Sequence, residues 1–339
     1  MQYASQVAWA KILVRGTNWL GDAVMSVPAL RALRHRYPEA RLTVLARGWV
    51  GDLYRREPSV DEVLVEPQKW RVLRRKRFDA AILLPNSFRA ALEARLAGIP
   101  RRIGYDRDRR GFLLTDRIQP PKPGETPPHE RFYYLELLRR AGILDALPPA
   151  EPILLHGAEE ARSAGLDVFR QMGMKGPVVG VSPGAQNSRA KQWLPERFVD
   201  SSVRVAAELG GGVAIFGSAA ERGLCQAMAE AVRRAGVQVL SLAGETTLAQ
   251  FIELAAACRV FLTNDAGAMH VASALGVATV AIFGPTDFAA TAPAGPVSRI
   301  VRAGVHCSPC MLRDCPIDHR CMTAVTAERV AETALELVK

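Results

Sequence analysis

Two α/β domains in tandem, each a parallel sheet covered by helices, are what this sequence predicts. Three observations lead there. The chain has 339 residues, more than one ordinary domain of roughly 150 residues accommodates. Strand-like and helix-like patterns alternate in steps of about thirty residues through both halves. A proline cluster, Pro148-Pro149-Ala150-Glu151-Pro152, then interrupts that alternation near the middle.

The elements follow in order. Lys11-Ile12-Leu13-Val14-Arg15 reads as a buried strand, and the stretch before it as a short extension. The loop Gly16-Thr17-Asn18-Trp19-Leu20-Gly21-Asp22 leads into a helix with Val24, Val27, Leu30 and Leu33 at three-residue spacing, stopped by Tyr37-Pro38. Strands are expected at 41–45, 62–65 and 79–84. The segment 119–128 holds five prolines, so it is a loop. A helix around 130–141 precedes the connection, placed between about 150 and 176. The second half predicts strands at 178–182, 212–216, 237–240, 260–264 and 278–283, with helices after the first four. The unbroken apolar run Val277–Phe283 fits a strand buried on both faces. A last helix is expected over 326–338.

Composition is that of a folded chain, 49% hydrophobic and 23% charged. No apolar run approaches the ~20 residues that cross a bilayer. The start, MQYASQVAWAKILVRG, lacks the pattern of a secretory signal, and six cysteines are too few for a disulfide scaffold. A reducing cytoplasm is the expected compartment. Charge is uneven: residues 1–150 hold 27 Lys and Arg against 16 Asp and Glu, and the remainder holds 17 against 18. The first half is therefore suited to an anionic partner. Its runs Lys69, Arg71, Arg74, Arg75, Lys76, Arg77 and Arg101, Arg102, Arg107, Arg109, Arg110 read as a solvated face, or as a surface for nucleic acid or anionic lipid.

Ligands of open α/β sheets bind at the carboxyl ends of the strands, so the loops there carry the candidate chemistry. Asp22, at a strand-to-helix turn, is either a helix N-cap or a general base. The loop Ser182–Trp193 offers Asn187, Ser188, Arg189 and Lys191, donors suited to a diphosphate, or it is a solvated loop. It has no Walker A pattern, which argues against an ATPase. Glu221 after Phe216-Gly217-Ser218 suits a ribose diol, or it is a dipole partner at a helix start. Asp265, Ala266, Gly267 and His270 lie at a strand-to-helix junction, an anion site by its exposed N–H groups, and Gly284-Pro285-Thr286 follows the next strand. Cys307, Cys310, Cys315 and Cys321 could hold zinc, although their spacing is not that of a common finger. They could equally be disulfides or packed thiols.

Taken together, RGTNWLGDAVMSVPAL, SPGAQNSRAKQW, FGSAAE, TNDAGAMHVASALG, IFGPTD and the Cys-rich tract resemble glycosyltransferase family 9, the ADP-heptose:lipopolysaccharide heptosyltransferases, in order from about Lys11 to the C-terminus. The resemblance implies a GT-B fold: two Rossmann-like domains whose parallel sheets face a central cleft. It implies acceptor binding on residues 1–160, nucleotide-sugar binding on 176–325, and a helix over 326–339 returning to the first domain. It implies transfer of heptose, with inversion, from ADP-L-glycero-β-D-manno-heptose to the first heptose of a heptosyl-Kdo-lipid A acceptor.

By motif position, Asp22 matches the base and Lys191 the diphosphate lysine. Asn187, Ser188, Arg189, Glu221, Asp265, Ala266, Gly267, His270, Gly284, Pro285 and Thr286 fall in the donor loops. Asn18, Trp19, Arg71, Arg74, Arg75 and Arg77 are expected on the acceptor side. No cofactor is expected to be required, a divalent cation being stimulatory at most. The expected location is the cytoplasmic surface of the inner membrane, with no nucleic-acid partner. The alternatives are another family 9 transferase, a sugar-nucleotide epimerase, or a non-catalytic basic module for RNA or anionic lipid.

Overall fold

In the computed structural model the described residues are 9–186 and 188–339. The chain divides between Glu151 and Pro152 into two units. The first unit contains β1 (Lys11–Arg15), α1 (Leu20–Arg36), β2 (Arg41–Ala46), α2 (Gly48–Arg55), β3 (Glu62–Val65), α3 (Trp70–Lys76), β4 (Ala80–Leu83), α4 (Phe88–Leu96), β5 (Arg101–Tyr105), β6 (Asp116–Ile118) and α5 (Arg131–Arg140). All its strand pairs are parallel, in the order β3-β2-β1-β4-β5-β6.

The second unit contains α6 (Ala158–Gln171), β7 (Val178–Ser182), α7 (Pro195–Leu209), β8 (Gly212–Ile215), α8 (Arg222–Arg234), β9 (Val239–Ser241), α9 (Leu248–Ala256), β10 (Val260–Asn264), α10 (Gly267–Ala274), β11 (Ala278–Phe283), α11 (Phe288–Thr291), β12 (Ser298–Arg302), α12 (Arg320–Thr323) and α13 (Ala327–Val338). Its order, β12-β11-β10-β7-β8-β9, is the first sheet's order repeated when read from β9, again all parallel. In each sheet the direction of winding reverses beside the first strand, at β1/β4 and at β7/β10. Such switch points leave a crevice at the strand ends.

The central strands are apolar on both faces, as helix cover requires. Every residue of β4, β7, β10 and β11 is buried. The segment placed in the connection contains α6, which packs on α9 inside the second unit. The last helix packs on α7, β11 and β12 of that same unit. Its Val330, Ala331, Ala334 and Val338 form one apolar stripe in the second core, and burial of that stripe decides where the helix docks. Residues 1–8, read as an extension, lie outside the described residues. Trp9, just after them, is buried and stacks on Tyr37 at 5.0 Å. Among the described residues no helix is long and apolar enough to cross a membrane.

Candidate active site

In the first unit the loop after β1 is pinned from below. Tyr54, fully buried on α2, accepts a hydrogen bond from Thr17 N (3.3 Å) and shares contacts with Thr17 Oγ1 and Ser26 Oγ (both 3.2 Å). A Cβ at position 16 would lie 3.0 Å from the Tyr54 ring, so glycine there gives the ring its place. Asp22 is half-buried in the first turn of α1. The N-cap position belongs to Trp19, which makes no side-chain cap, so the capping reading of Asp22 fails.

α5 packs on α1, with Glu130 at its N-cap position and Tyr134 one turn on. Burial raises the Glu130 carboxyl above its usual range, and the charge of Asp22 adds to this. Burial likewise raises the Tyr134 hydroxyl. Both groups are therefore harder to ionise than in water.

Asn18 is held by residues absent from the sequence expectation. Arg15 and Glu66, both about 5% exposed, form an ion pair at 2.6 Å, and Arg47 joins Glu66 at 2.7 Å. Asn18 Oδ1 accepts from Arg15 Nη2 (3.5 Å) and Arg47 Nε (3.4 Å), and its carbonyl accepts from Trp49 Nε1 (2.9 Å). Trp19, next in the chain, and Trp49 are both exposed.

The structure does not gather the other basic residues here. Arg71 is in the first turn of α3, whereas Arg74, Arg75 and Arg77 end that helix. There Lys76 O accepts from Lys11 Nζ, at the amino end of β1, the end opposite the loop that leads to Asp22.

In the second unit the switch point is more tightly furnished. Asp265, 4% exposed, follows β10. Its Oδ2 pairs with Lys191 Nζ at 2.9 Å and accepts from Thr286 Oγ1 at 2.7 Å. Three loops, after β7, β10 and β11, thus converge on one carboxylate oxygen. Ala266 precedes α10 in extended conformation (φ −146°), leaving the first amides of Gly267 and Ala268 at the helix start. His270 is buried on that helix.

Asn264, not among the expected residues, clamps both ends of the β7 loop: its Nδ2 donates to Pro183 O (2.6 Å) and its Oδ1 accepts from Trp193 N (3.0 Å). The buried Trp193 in turn donates from Nε1 to Val325 O (3.1 Å).

Glu221 stands at a helix start, the second of the two readings offered for it. Its Oε2 accepts from Ser218 N (2.7 Å) and Ser218 Oγ (2.8 Å) at the start of a helical turn. A Cβ on Gly184 would stand 1.8 Å from its Oε1, so the carboxylate lies directly against the β7 loop. Arg189 is exposed and paired with Asp314 (2.6 Å), apart from the Asp265 cluster. Ser188 donates to Arg313 O at 3.4 Å. Asn187 lies outside the described residues.

Gly284 and Pro285 offer their carbonyls to the Cys-rich tract. The four thiols of that tract are free. Burial raises the Cys321 thiol, and Cys307, Cys315 and Cys310 add to this. Among the described residues no group of three or more His, Cys, Asp or Glu is arranged to hold a metal ion, so the zinc reading finds no ligand set.

The model of glycosyltransferase family 9 (heptosyltransferase) matches residues 68–320. The chain belongs to glycosyltransferase family 9. It is 35% identical to lipopolysaccharide heptosyltransferase 2 of Escherichia coli K12, over 86% of this chain and 88% of that protein. It is also 35% identical to the protein of the same name from Salmonella typhimurium LT2, with the same coverage. The solved structure of E. coli ADP-heptose LPS heptosyltransferase II superposes with a TM-score of 0.81 at 32% identity, covering 97% of this chain and 98% of that one. The expected fold class, α/β with two Rossmann-like sheets, is therefore shown both by topology and by likeness.

Proposed function

We propose that this chain transfers a heptose from ADP-heptose to the lipopolysaccharide inner core, as the relatives named lipopolysaccharide heptosyltransferase 2 are named for doing. Within a family 9 chain, the observation that supports this best is the Lys191–Asp265–Thr286 cluster beside the start of α10. It sets a cation and helix amides where a diphosphate is bound in open α/β sheets.

In this reading the acceptor hydroxyl oxygen attacks the anomeric carbon as its proton passes to Asp22. The bond from that carbon to the diphosphate breaks, and ADP leaves with the bonding pair. Lys191 and the amides of Gly267 and Ala268 meet the charge that develops on the leaving group. Glu221 and Gly184 border the nucleoside, and Asp265 accepts from a heptose hydroxyl. Asn18, Trp19 and Trp49 flank the acceptor near Asp22. Arg74, Arg75 and Arg77 attract an anionic membrane surface on the cytoplasmic side of the inner membrane. Protein groups supply the charge at the diphosphate, so turnover should persist in excess EDTA.

The test is ADP-heptose turnover on inner-core acceptors bearing zero, one or two heptoses. Use of the one-heptose acceptor is expected. Preference for the acceptor without heptose would move the reaction one step earlier, and no turnover on any of them would refute the proposal.

A further inference from the structure

Residues 303–319, between β12 and α12, carry three of the four clustered cysteines and no role in the reaction above. They are fastened to both loops that meet at Asp265. On the β7 loop, His319 Nε2 donates to Ala190 O at 2.7 Å, and Ala190 N donates to Arg313 O at 2.9 Å. Arg189 pairs with Asp314 beside them. On the loop after β11, Ser308 Oγ donates to Gly284 O at 2.5 Å. The amides of Cys310 and Met311 both donate to Pro285 O, at 2.9 and 2.8 Å.

The sites of attachment are informative. Ala190 precedes Lys191 and Pro285 precedes Thr286, so each loop is tied one residue before the side chain that reaches Asp265. A tract that merely covered the surface would have no reason to grip both loops at that place.

His319 is fixed through its backbone. Its φ of 57° lies in the left-handed region, which a non-glycine residue adopts only where its surroundings hold it. Its carbonyl accepts the amides of Met322 (2.9 Å) and Thr323 (3.0 Å) in α12, which fixes the imidazole's base. A cavity of about 320 Å³, lined by Arg189, Ala190, Asp314, Cys315, Ile317 and His319, opens beside the contact. The hydrogen bond to Ala190 O shares the attachment on that side with Ala190 N–Arg313 O and Arg189–Asp314, and it alone ties the loop to the start of α12.

We propose that the Cys-rich tract is a strap that sets the β7 and β11 loops in register about Asp265, with His319 as the positioning residue for Lys191. This rests on the donor reading above, and it makes the strap part of donor recognition without any contact to the nucleotide.

The experiment compares wild type, His319→Ala and His319→Gln by steady-state turnover and by calorimetric titration with ADP, after thermal melts show that each variant is folded. Gln can donate its amide N–H to Ala190 O, as the imidazole does. His319→Ala should raise the donor KM and the ADP Kd by about tenfold, the effect of one hydrogen bond that holds a charged group in place, with the acceptor KM unchanged. His319→Gln should recover to within about threefold of wild type. An unchanged ADP Kd in His319→Ala, equal rises in both KM values, or no recovery in His319→Gln would overturn the strap. The ADP arm keeps the two proposals apart: weaker ADP binding by His319→Ala alongside a wild type inactive on ADP-heptose would support the strap and reject the donor sugar.

Discussion

The two units share one strand order and furnish its switch point in opposite ways. The first unit carries the chain's surplus of positive charge, yet the group placed at its switch point is a carboxylate, Asp22, with Glu130 and Tyr134 close by and resistant to ionisation. The second unit is nearly neutral, yet its switch point holds an ammonium on a buried carboxylate. Net charge therefore describes the surface a domain shows to a distant partner, and the strand-end loops decide what is bound and what reacts. The same sheet can present a carboxylate or an ammonium–carboxylate pair because neither depends on the strands themselves.

The sharpest way to break this contrast is at the base. Asp22→Ala should lower heptose transfer by about 10²–10⁴-fold, the usual contribution of a positioned base, in an initial-rate assay at saturating donor. Lys191→Ala comes next, with a fall of about 10²–10³-fold in kcat/KM for the donor, as when one charge-stabilising donor is removed.

Neutralising Arg74, Arg75 and Arg77 together should weaken binding to anionic vesicles by about 1 kcal/mol per residue, read by flotation. Turnover of a soluble, delipidated acceptor should hardly change. A large loss on that soluble acceptor would return these residues to the acceptor site.

The smallest expected effect is Glu130→Gln. The folded chain raises the Glu130 carboxyl above its ordinary 4.5, so it binds that proton more tightly than the unfolded chain does. The contribution of this group to stability is therefore complete below pH ~4.5 and is lost as pH rises through its raised value. Melting temperatures measured across that window should fall for wild type and stay flatter for the Gln variant.

Much of the fold was legible because its central strands are apolar on both faces: 11–15, 178–182, 260–264 and 278–283 stand almost where runs of Val, Ile and Leu place them. Two strands were hidden by polar residues: β5, which starts on Arg101-Arg102, and β12, Ser298-Arg299-Ile300-Val301-Arg302, where only Val301 is buried. Lys191, Asp265 and Thr286 were legible as loop residues, but their meeting on one oxygen was not. Asn264 looks like any polar strand end, and its work lies in bonds to Pro183 and Trp193, far away in sequence. The Arg74–Arg77 run was legible as charge and misleading as position, because the end of the sheet it reaches depends on where α3 stops.

The division of labour is tested most directly by calorimetric titration of ADP into Asp22→Asn and Lys191→Ala side by side. Asp22→Asn should bind ADP as wild type does, while Lys191→Ala should bind about tenfold or more weakly, having lost a charged hydrogen-bond donor. Equal weakening in both, or wild-type affinity in Lys191→Ala, would contradict a base on the first unit and a nucleotide site on the second.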